Sequence, residues 1–177
     1  MKITISGTAG SGKSSVAKLL AKRLHYKHFS MGDFQRKLAL EKGMTIAELG
    51  SLEATDKKYD IMVDDKQKQI GKDNDDFIMD SWLAPLFVPD SFKVFLDADI
   101  KTRVNRRLKQ KRDEESFSDF DSAKKTMSSR EKVNRERWLE FYDYDFSDMK
   151  NYNLVIDTTE IEIEDVVNRI IANLDKR

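Results

Sequence analysis

The 177-residue sequence predicts an α/β fold: a five-stranded parallel sheet between layers of helices, in a three-layer αβα arrangement. Three observations carry that expectation. Short apolar runs alternate with longer stretches at helical spacing, as strands joined by crossover helices do. The first run, Met1-Lys2-Ile3-Thr4-Ile5-Ser6, passes directly into Gly7-Thr8-Ala9-Gly10-Ser11-Gly12-Lys13-Ser14, a full match to the phosphate-binding pattern G-x-x-x-x-G-K-[ST]. The length suits one domain with a real core, and two prolines among 36% charged residues suit solvated helices around a compact sheet.

The first strand ends at Ser6. Three glycines let the backbone turn tightly and aim its N–H groups at one spot, while Val16, Leu19, Leu20 and Leu24 mark a helix from about Lys13 to Leu24. The loop therefore covers a helix N-terminus, whose orphan N–H groups and dipole attract phosphate. Lys13 is placed to reach β- and γ-phosphates, and the Ser14 hydroxyl to hold Mg²⁺. A turn that merely joined strand to helix would require neither the Lys-Ser pair nor all three glycines.

His25 to Ser30 reads as a short second strand. His25 and His28, the only histidines, would point to opposite faces of it, which favours ordinary surface or half-buried roles over a metal pair. Ser30 to Arg36 then turns into a helix. Asp33 and Arg36 lie at its start, near a strand end where open α/β sheets bind ligands; the plainer alternative is an Asp complementing the helix dipole and a solvated Arg. Gly43 to Gly71 reads as a helical insertion, with Thr45 and Glu48 resembling a capping box and Ile46, Leu49, Leu52, Ile61, Met62 and Ile70 forming an intermittent apolar stripe. Its charged face of Asp56, Asp60, Asp64, Asp65 and Gln67 is expected to be mostly solvated, with one or two groups able to hydrogen-bond a base.

Gly71 to Asp76 is a polar turn, and Phe77-Ile78-Met79 a buried third strand that leads into Asp80-Ser81-Trp82. Asp80 either orders the waters of a bound Mg²⁺ or is a turn residue. Pro85 and Pro89 bracket a short loop before the fourth strand, Phe92 to Leu96. From Lys101 to Arg112 a basic helix carries Arg103, Arg106 and Arg107. Such a run is usually solvated and can be a nucleic-acid footprint, but beside a phosphate loop it can aim arginines at a transferring phosphoryl group. A long polar helix spans Asp121 to Phe141. Arg130 and Arg137 share a face of it with Asn134 between them, and two like charges so placed favour an anion between them. Asn153 to Thr158 is the fifth strand, and Ile161 to Leu174 a closing amphipathic helix.

Lys plus Arg and Asp plus Glu are equal at 32 each, so no overall field favours nucleic acid or an acidic membrane. No apolar run approaches a membrane span and no signal-like segment precedes the first strand, so a soluble, cytoplasmic monomer is expected. The absence of Cys rules out disulfides and thiolate zinc sites.

Over nearly its whole length the chain resembles the cytidylate kinases, most closely the short archaeal-type form, within the P-loop NTPases. Gly7 to Ser15 carries the resemblance together with Ser30-Met31-Gly32-Asp33-Phe34-Gln35-Arg36 (the S-x-G-D-x-x-R motif), Leu96-Asp97-Ala98 with Arg103, Arg106 and Arg107 behind it, Arg130-Glu131 with Arg137, Asp145 to Asp148, and Tyr152 to Thr158. The resemblance implies one kinase domain over 1–177, with its core at 1–30, 72–110 and 123–177. A helical monophosphate-binding insertion at about 31–71 and a lid at about 111–122 would exclude water from the transfer. It implies that the γ-phosphoryl group of ATP, with Mg²⁺, passes to a nucleoside monophosphate, CMP or dCMP. Gly7, Thr8, Ala9, Gly10, Ser11, Gly12, Lys13, Ser14 and Ser15 would then cradle ATP, with Arg103 and the Arg106-Arg107 pair on the same side. Lys13, Arg107, Arg130 and Arg137 would be the catalytic cations, Asp33, Arg36, Asp80 and Asn134 would serve the acceptor, and Ser14 with Asp80 would hold the metal. No strong general base is needed, since a phosphate monoester with a second pKa of about 6 is already ionised at neutral pH.

Two positions depart from the family pattern. Asp80-Ser81-Trp82 stands where the family tends to have an acidic-Gly-Arg triplet, and Asn134 where an acidic residue helps to read cytosine. Both bear on which base the acceptor carries. The alternatives are a kinase for UMP, AMP or another monophosphate; a shikimate-kinase-type enzyme acting on a small alcohol with Asp33 as base; and a nucleotide- or nucleic-acid-binding module without transfer activity, for which Trp82 and the basic helix are the support.

Overall fold

The structure is a computed structural model that describes residues 1–53, 57–110, 117 and 119–174. Five strands, β1 (Lys2–Gly7), β2 (Lys27–Ser30), β3 (Phe77–Asp80), β4 (Phe92–Asp97) and β5 (Leu154–Asp157), form one sheet in the order β2-β3-β1-β4-β5. Every pairing is parallel. The helices are α1 (Lys13–Leu24), α2 (Met31–Glu41), α3 (Ile46–Glu53), α4 (Lys57–Asp73), α5 (Ala84–Phe87), α6 (Ile100–Lys109), α7 (Phe120–Tyr142) and α8 (Ile163–Leu174).

Strand β1 lies at the centre, and its alternation sorts the layers. Ile3 and Ile5 are fully buried beneath Val16 and Leu20 of α1 and Val166, Val167 and Ile170 of α8. Thr4 and Ser6 face the other layer and are buried too, but each finds a partner: the Thr4 hydroxyl lies 2.7 Å from Ser91 Oγ, and Ser6 Oγ donates to the Trp82 carbonyl at 2.9 Å. That second layer holds Met31, Val63, Ile70, Phe77, Met79 and Val88 under the α2–α4 insertion, and Leu83, Phe95, Trp138 and Phe146 under α7. The chain leaves β1 toward β2 and β3 on one side and β4 on the other, so the C-terminal ends of β1, β3 and β4 open into a crevice at the point where the strand order reverses.

Two segments differ from the sequence expectation. The polar turn expected from Gly71 is helical as far as Asp73, because Gly71 serves close packing: a Cβ there would sit 3.2 Å from Val88 Cγ2. The loop bracketed by Pro85 and Pro89 holds the single-turn helix α5, with Pro85 in its first turn, where a missing N–H breaks no helical bond. The expected lid overlaps residues 111–116 and 118, which lie outside the described residues, as does Asp56. Among the described residues no helix is long and apolar enough to cross a membrane.

The expectation of a mostly solvated acidic face is corrected in α4. Asp60, Asp64 and Gln67 are buried together with Val63 and Ile70. The helix turns this mixed face toward α7, where Arg137 lies 3.3 Å from Asp60 and the Tyr142 hydroxyl donates to Asp64. Burial pushes Asp60 up to about 7, outweighing the Arg137 charge, and Asp64 up to about 6. A carboxyl raised in the folded state binds its proton more tightly there than in the unfolded chain, so stability falls as pH rises from about 4 and the full penalty is present above about 7. Asp60→Asn should therefore raise the thermal midpoint by about 5 °C at pH 8 and by much less at pH 5, as melting curves at the two pH values would show. A gain of equal size at both would refute this account of Asp60.

Candidate active site

The loop between β1 and α1 is held open by its glycines. Gly7 and Gly10 have positive φ, and a Cβ on either would meet backbone: the Leu96 carbonyl oxygen at 2.0 Å from Gly7, the Arg103 carbonyl oxygen at 2.7 Å from Gly10. Gly12, at φ +95°, forms the N-cap of α1 and so leaves the first amides of that helix facing the crevice. Thr8 Oγ1 donates to Asp97 Oδ1 at 2.7 Å, and the Ser11 carbonyl lies 3.0 Å from the hydroxyl of Thr158. These bonds brace the loop from β4 and β5. Ser15 is exposed on the first turn of α1.

Lys13 folds back over the loop, donating to the Gly7 carbonyl at 2.8 Å and the Thr8 carbonyl at 2.7 Å. Burial lowers its ammonium to about 8, against the attraction of Asp80 and Glu131. The side chain is a poised cation whose present partners are two neutral carbonyls.

Asp80 closes the floor of the crevice. The register that pairs it with Ile5 sets its carboxylate just under the loop, where Oδ2 accepts from Ser14 Oγ at 2.7 Å and Ser30 Oγ at 3.2 Å, and Oδ1 lies 2.5 Å from His28 Nε2. Burial opposes its ionisation, but the hydrogen bonds of His28 and Ser14 with the charges of His28 and Lys13 outweigh it and hold Asp80 below its ordinary value. Asp80 is the last residue of β3. A hydroxyl and a carboxylate oxygen side by side beneath a phosphate loop match the few hard oxygen donors that Mg²⁺ takes from protein while keeping several waters. His28, an ordinary half-buried residue by sequence, is the group that orients this carboxylate, and His25 is exposed.

The arginines divide into two groups. Arg103 and Arg106 brace the loop from α6: Arg103 Nη1 donates to Glu131 Oε1 at 2.6 Å and to the Ala9 carbonyl at 3.2 Å, and Arg106 grips the hydroxyl and carbonyl of Thr158 at 3.0 and 2.6 Å. Arg107 is buried on the same helix, 3.4 Å from Gln110 Oε1. Arg130 and Arg137 lie on α7 with Asn134 buried between them. Arg130 reaches over the face of Trp82, its guanidinium carbon 5.3 Å from the ring centroid. Arg137 is buried between two carboxylates, 3.3 Å from Asp60 and 3.7 Å from Glu53. The anion that the two same-face arginines call for is, on the Arg137 side, supplied by the insertion. Asp33 and Arg36 pair with each other at the exposed start of α2, and the Ser30 hydroxyl caps that helix through the Asp33 amide.

Two participants gave little sequence signal. Glu131 sends Oε1 to the Ala9 N–H at 2.7 Å, so a carboxylate occupies one of the loop's own anion-binding donors. Glu53 accepts from Gln35 at 2.8 Å while facing Arg137. The acid beside Arg130 was visible as part of a motif, but only the packing of α7 over α6 shows that it turns into the loop.

Residues 2–160 match the Cytidylate kinase-like family. The chain is similar to the cytidylate kinase of Haloarcula marismortui, with 35% identity over 95% of this chain and 86% of that one. It is similar also to those of Methanosphaerula palustris (36%, 89% and 88%) and Methanosarcina barkeri (33%, 98% and 98%). Among solved structures it shares the fold of an uncharacterised protein from Eubacterium ventriosum (TM-score 0.74, 18% identity, 100% and 99% covered). The shikimate kinase of Bacteroides thetaiotaomicron shares it as well (TM-score 0.71, 17% identity, 99% and 98% covered). With a glycine-braced phosphate loop, a Ser14–Asp80 pair beneath it and the family match over most of its length, this chain belongs to the cytidylate kinase-like family.

Proposed function

We propose that the chain transfers the γ-phosphoryl group of ATP to the phosphate of a nucleoside monophosphate, with CMP or dCMP as acceptor. The observation that carries this reading is the Glu131 carboxylate on the Ala9 amide: the loop binds an anion in the structure itself, next to a Lys13 ammonium whose hydrogen bonds go to two neutral carbonyls. ATP phosphates supply more negative charge to the same donors and displace that carboxylate. Lys13 then turns from the Gly7 and Thr8 carbonyls to the β- and γ-phosphates. Ser14 and Asp80 would hold Mg²⁺, which when bound supplies charge neutralisation for the phosphates.

The acceptor enters between the α2–α4 insertion and α7. Arg130 and Arg137 would meet its phosphate, Arg137 on leaving the Asp60 and Glu53 carboxylates that hold it, and the Asp33–Arg36 pair stands at the exposed start of α2. Transfer needs in-line placement and charge neutralisation rather than a proton acceptor, since the attacking phosphate oxygen is already ionised. Preference for a cytosine acceptor rests on the family and on the named relatives.

A coupled ADP-release assay with ATP, Mg²⁺ and each nucleoside monophosphate in turn should show CMP and dCMP turned over fastest. Turnover confined to UMP or AMP would overturn the acceptor assignment, and no turnover with any of them would overturn the kinase assignment. Lys13→Ala should lower kcat by at least about a hundredfold while leaving the unfolding transition in place. Normal transfer in the folded variant would remove Lys13 from the mechanism. In the wild-type enzyme kcat/KM for ATP should decline above about pH 8, where Lys13 of the free enzyme loses its proton and with it the attraction for phosphate. A profile flat to pH 9.5 would contradict the assignment.

A further inference from the structure

Trp82 follows the end of β3 beside the phosphate loop, and its contacts run to both Lys13 and Arg130. Its indole Nε1–H donates to the Gly7 carbonyl at 2.6 Å, the same oxygen that accepts from Lys13 Nζ at 2.8 Å. Its ring face lies 5.7 Å from the Lys13 ammonium and 5.3 Å from the Arg130 guanidinium carbon. The ring itself is fixed from behind by Trp138, edge-on at 5.3 Å, and by Phe146 at 5.8 Å, while its carbonyl accepts from Ser6 Oγ.

We infer that Trp82 is a positioning residue for phosphoryl transfer, acting through Lys13 on the ATP side and through Arg130 on the acceptor side; the inference rests on the reading of this site given above. To reach phosphate, Lys13 has to release two carbonyls of the loop. A buried carbonyl left without a donor lowers the equilibrium for that release by about tenfold. The indole N–H keeps the Gly7 oxygen paired throughout, so Lys13 leaves only the Thr8 oxygen to be satisfied anew. Phenylalanine, leucine or arginine could not deliver the same neutral donor at this distance from a fixed ring. The π face makes the second contribution. Both cations lie within the roughly 6 Å at which a ring quadrupole attracts them, so the indole contacts Lys13 and Arg130 at once without adding a third positive charge beside them. The tryptophan thus orients one cation on the ATP side and one on the acceptor side without itself carrying charge.

The test compares Trp82→Phe, which keeps a ring and loses the N–H, with Trp82→Leu, which loses both. ATP affinity is measured by calorimetry without acceptor, so that it reads out even if no monophosphate is turned over, and kcat and both KM values follow from the coupled assay. Trp82→Phe should weaken ATP binding about tenfold with little change in KM for CMP, and Trp82→Leu should in addition lower kcat by about tenfold as Arg130 loses its platform. A residue that served only to fill the core would shift the melting temperature of both variants and leave the split between ATP affinity and kcat untouched. Wild-type ATP affinity in folded Trp82→Phe overturns the inference. A measurement on the wild-type chain stands beside the variants: the Trp82 indole N–H should exchange slowly with solvent both before and after ATP is added, and rapid exchange in the ATP complex overturns it as well. Absence of turnover in the wild type, with ATP still bound, would count against the kinase reading and not against the role of Trp82 at the Gly7 carbonyl.

Discussion

Everything at the site depends on a backbone that can turn at Gly7 while pressed against β4. The Leu96 carbonyl oxygen stands 2.0 Å from where a side chain at Gly7 would begin, and the Thr8 amide donates to that same oxygen at 3.1 Å. The strand pairing of β1 with β4 thus continues into the loop, and the loop inherits the rigidity of the sheet. Only then can several amides converge on one volume without relaxing toward one another. The price is conformational: no other residue type fits at Gly7 or Gly10, because the obstacle in each case is main chain and cannot rotate away.

Charge in the crevice is balanced pairwise before any ligand arrives. Glu131 bridges the Ala9 amide and Arg103, Asp80 takes Ser14 and His28, and Glu53 and Asp60 hold Arg137. Arg103 and Arg137 are thereby fixed against carboxylates instead of drifting into solvent, while Lys13 rests on the Gly7 and Thr8 carbonyls. Arg103 and Arg106 belong to this supporting set, since one ties α6 to the loop and the other ties α6 to the end of β5.

The strands and the phosphate loop were legible because both are local signals: β-branched runs bounded by turns, and a pattern whose spacing is fixed by what its backbone must do. The pairing of Ser14 with Asp80 was legible in part, as a carboxylate just past a buried strand. The burial of Asp60 and Asp64 was not, because their α4 face is polar by composition and becomes interior only through Arg137 and Tyr142 on a helix more than seventy residues away in sequence. Gly71 misled for a related reason, as a glycine required by the nearness of Val88 looks the same in sequence as one required by a turn. The seat of Glu131 on the loop is likewise a matter of how α7 crosses α6, on which neighbouring residues in the chain carry no information.

Asn134 and Trp82, the two positions that the sequence singled out, have different physical weight in the structure. Asn134 is neutral between Arg130 and Arg137, and the negative charge near Arg137 comes from Glu53 and Asp60, which approach it from the insertion. The charge of Arg137 is thus met without a carboxylate at position 134. Trp82 has no such counterpart. No other side chain among the described residues donates to the Gly7 carbonyl apart from Lys13, and no other ring lies under both Lys13 and Arg130. An indole offers the two cations a fixed neutral surface, where a further guanidinium in a crevice already crowded with arginines would add repulsion.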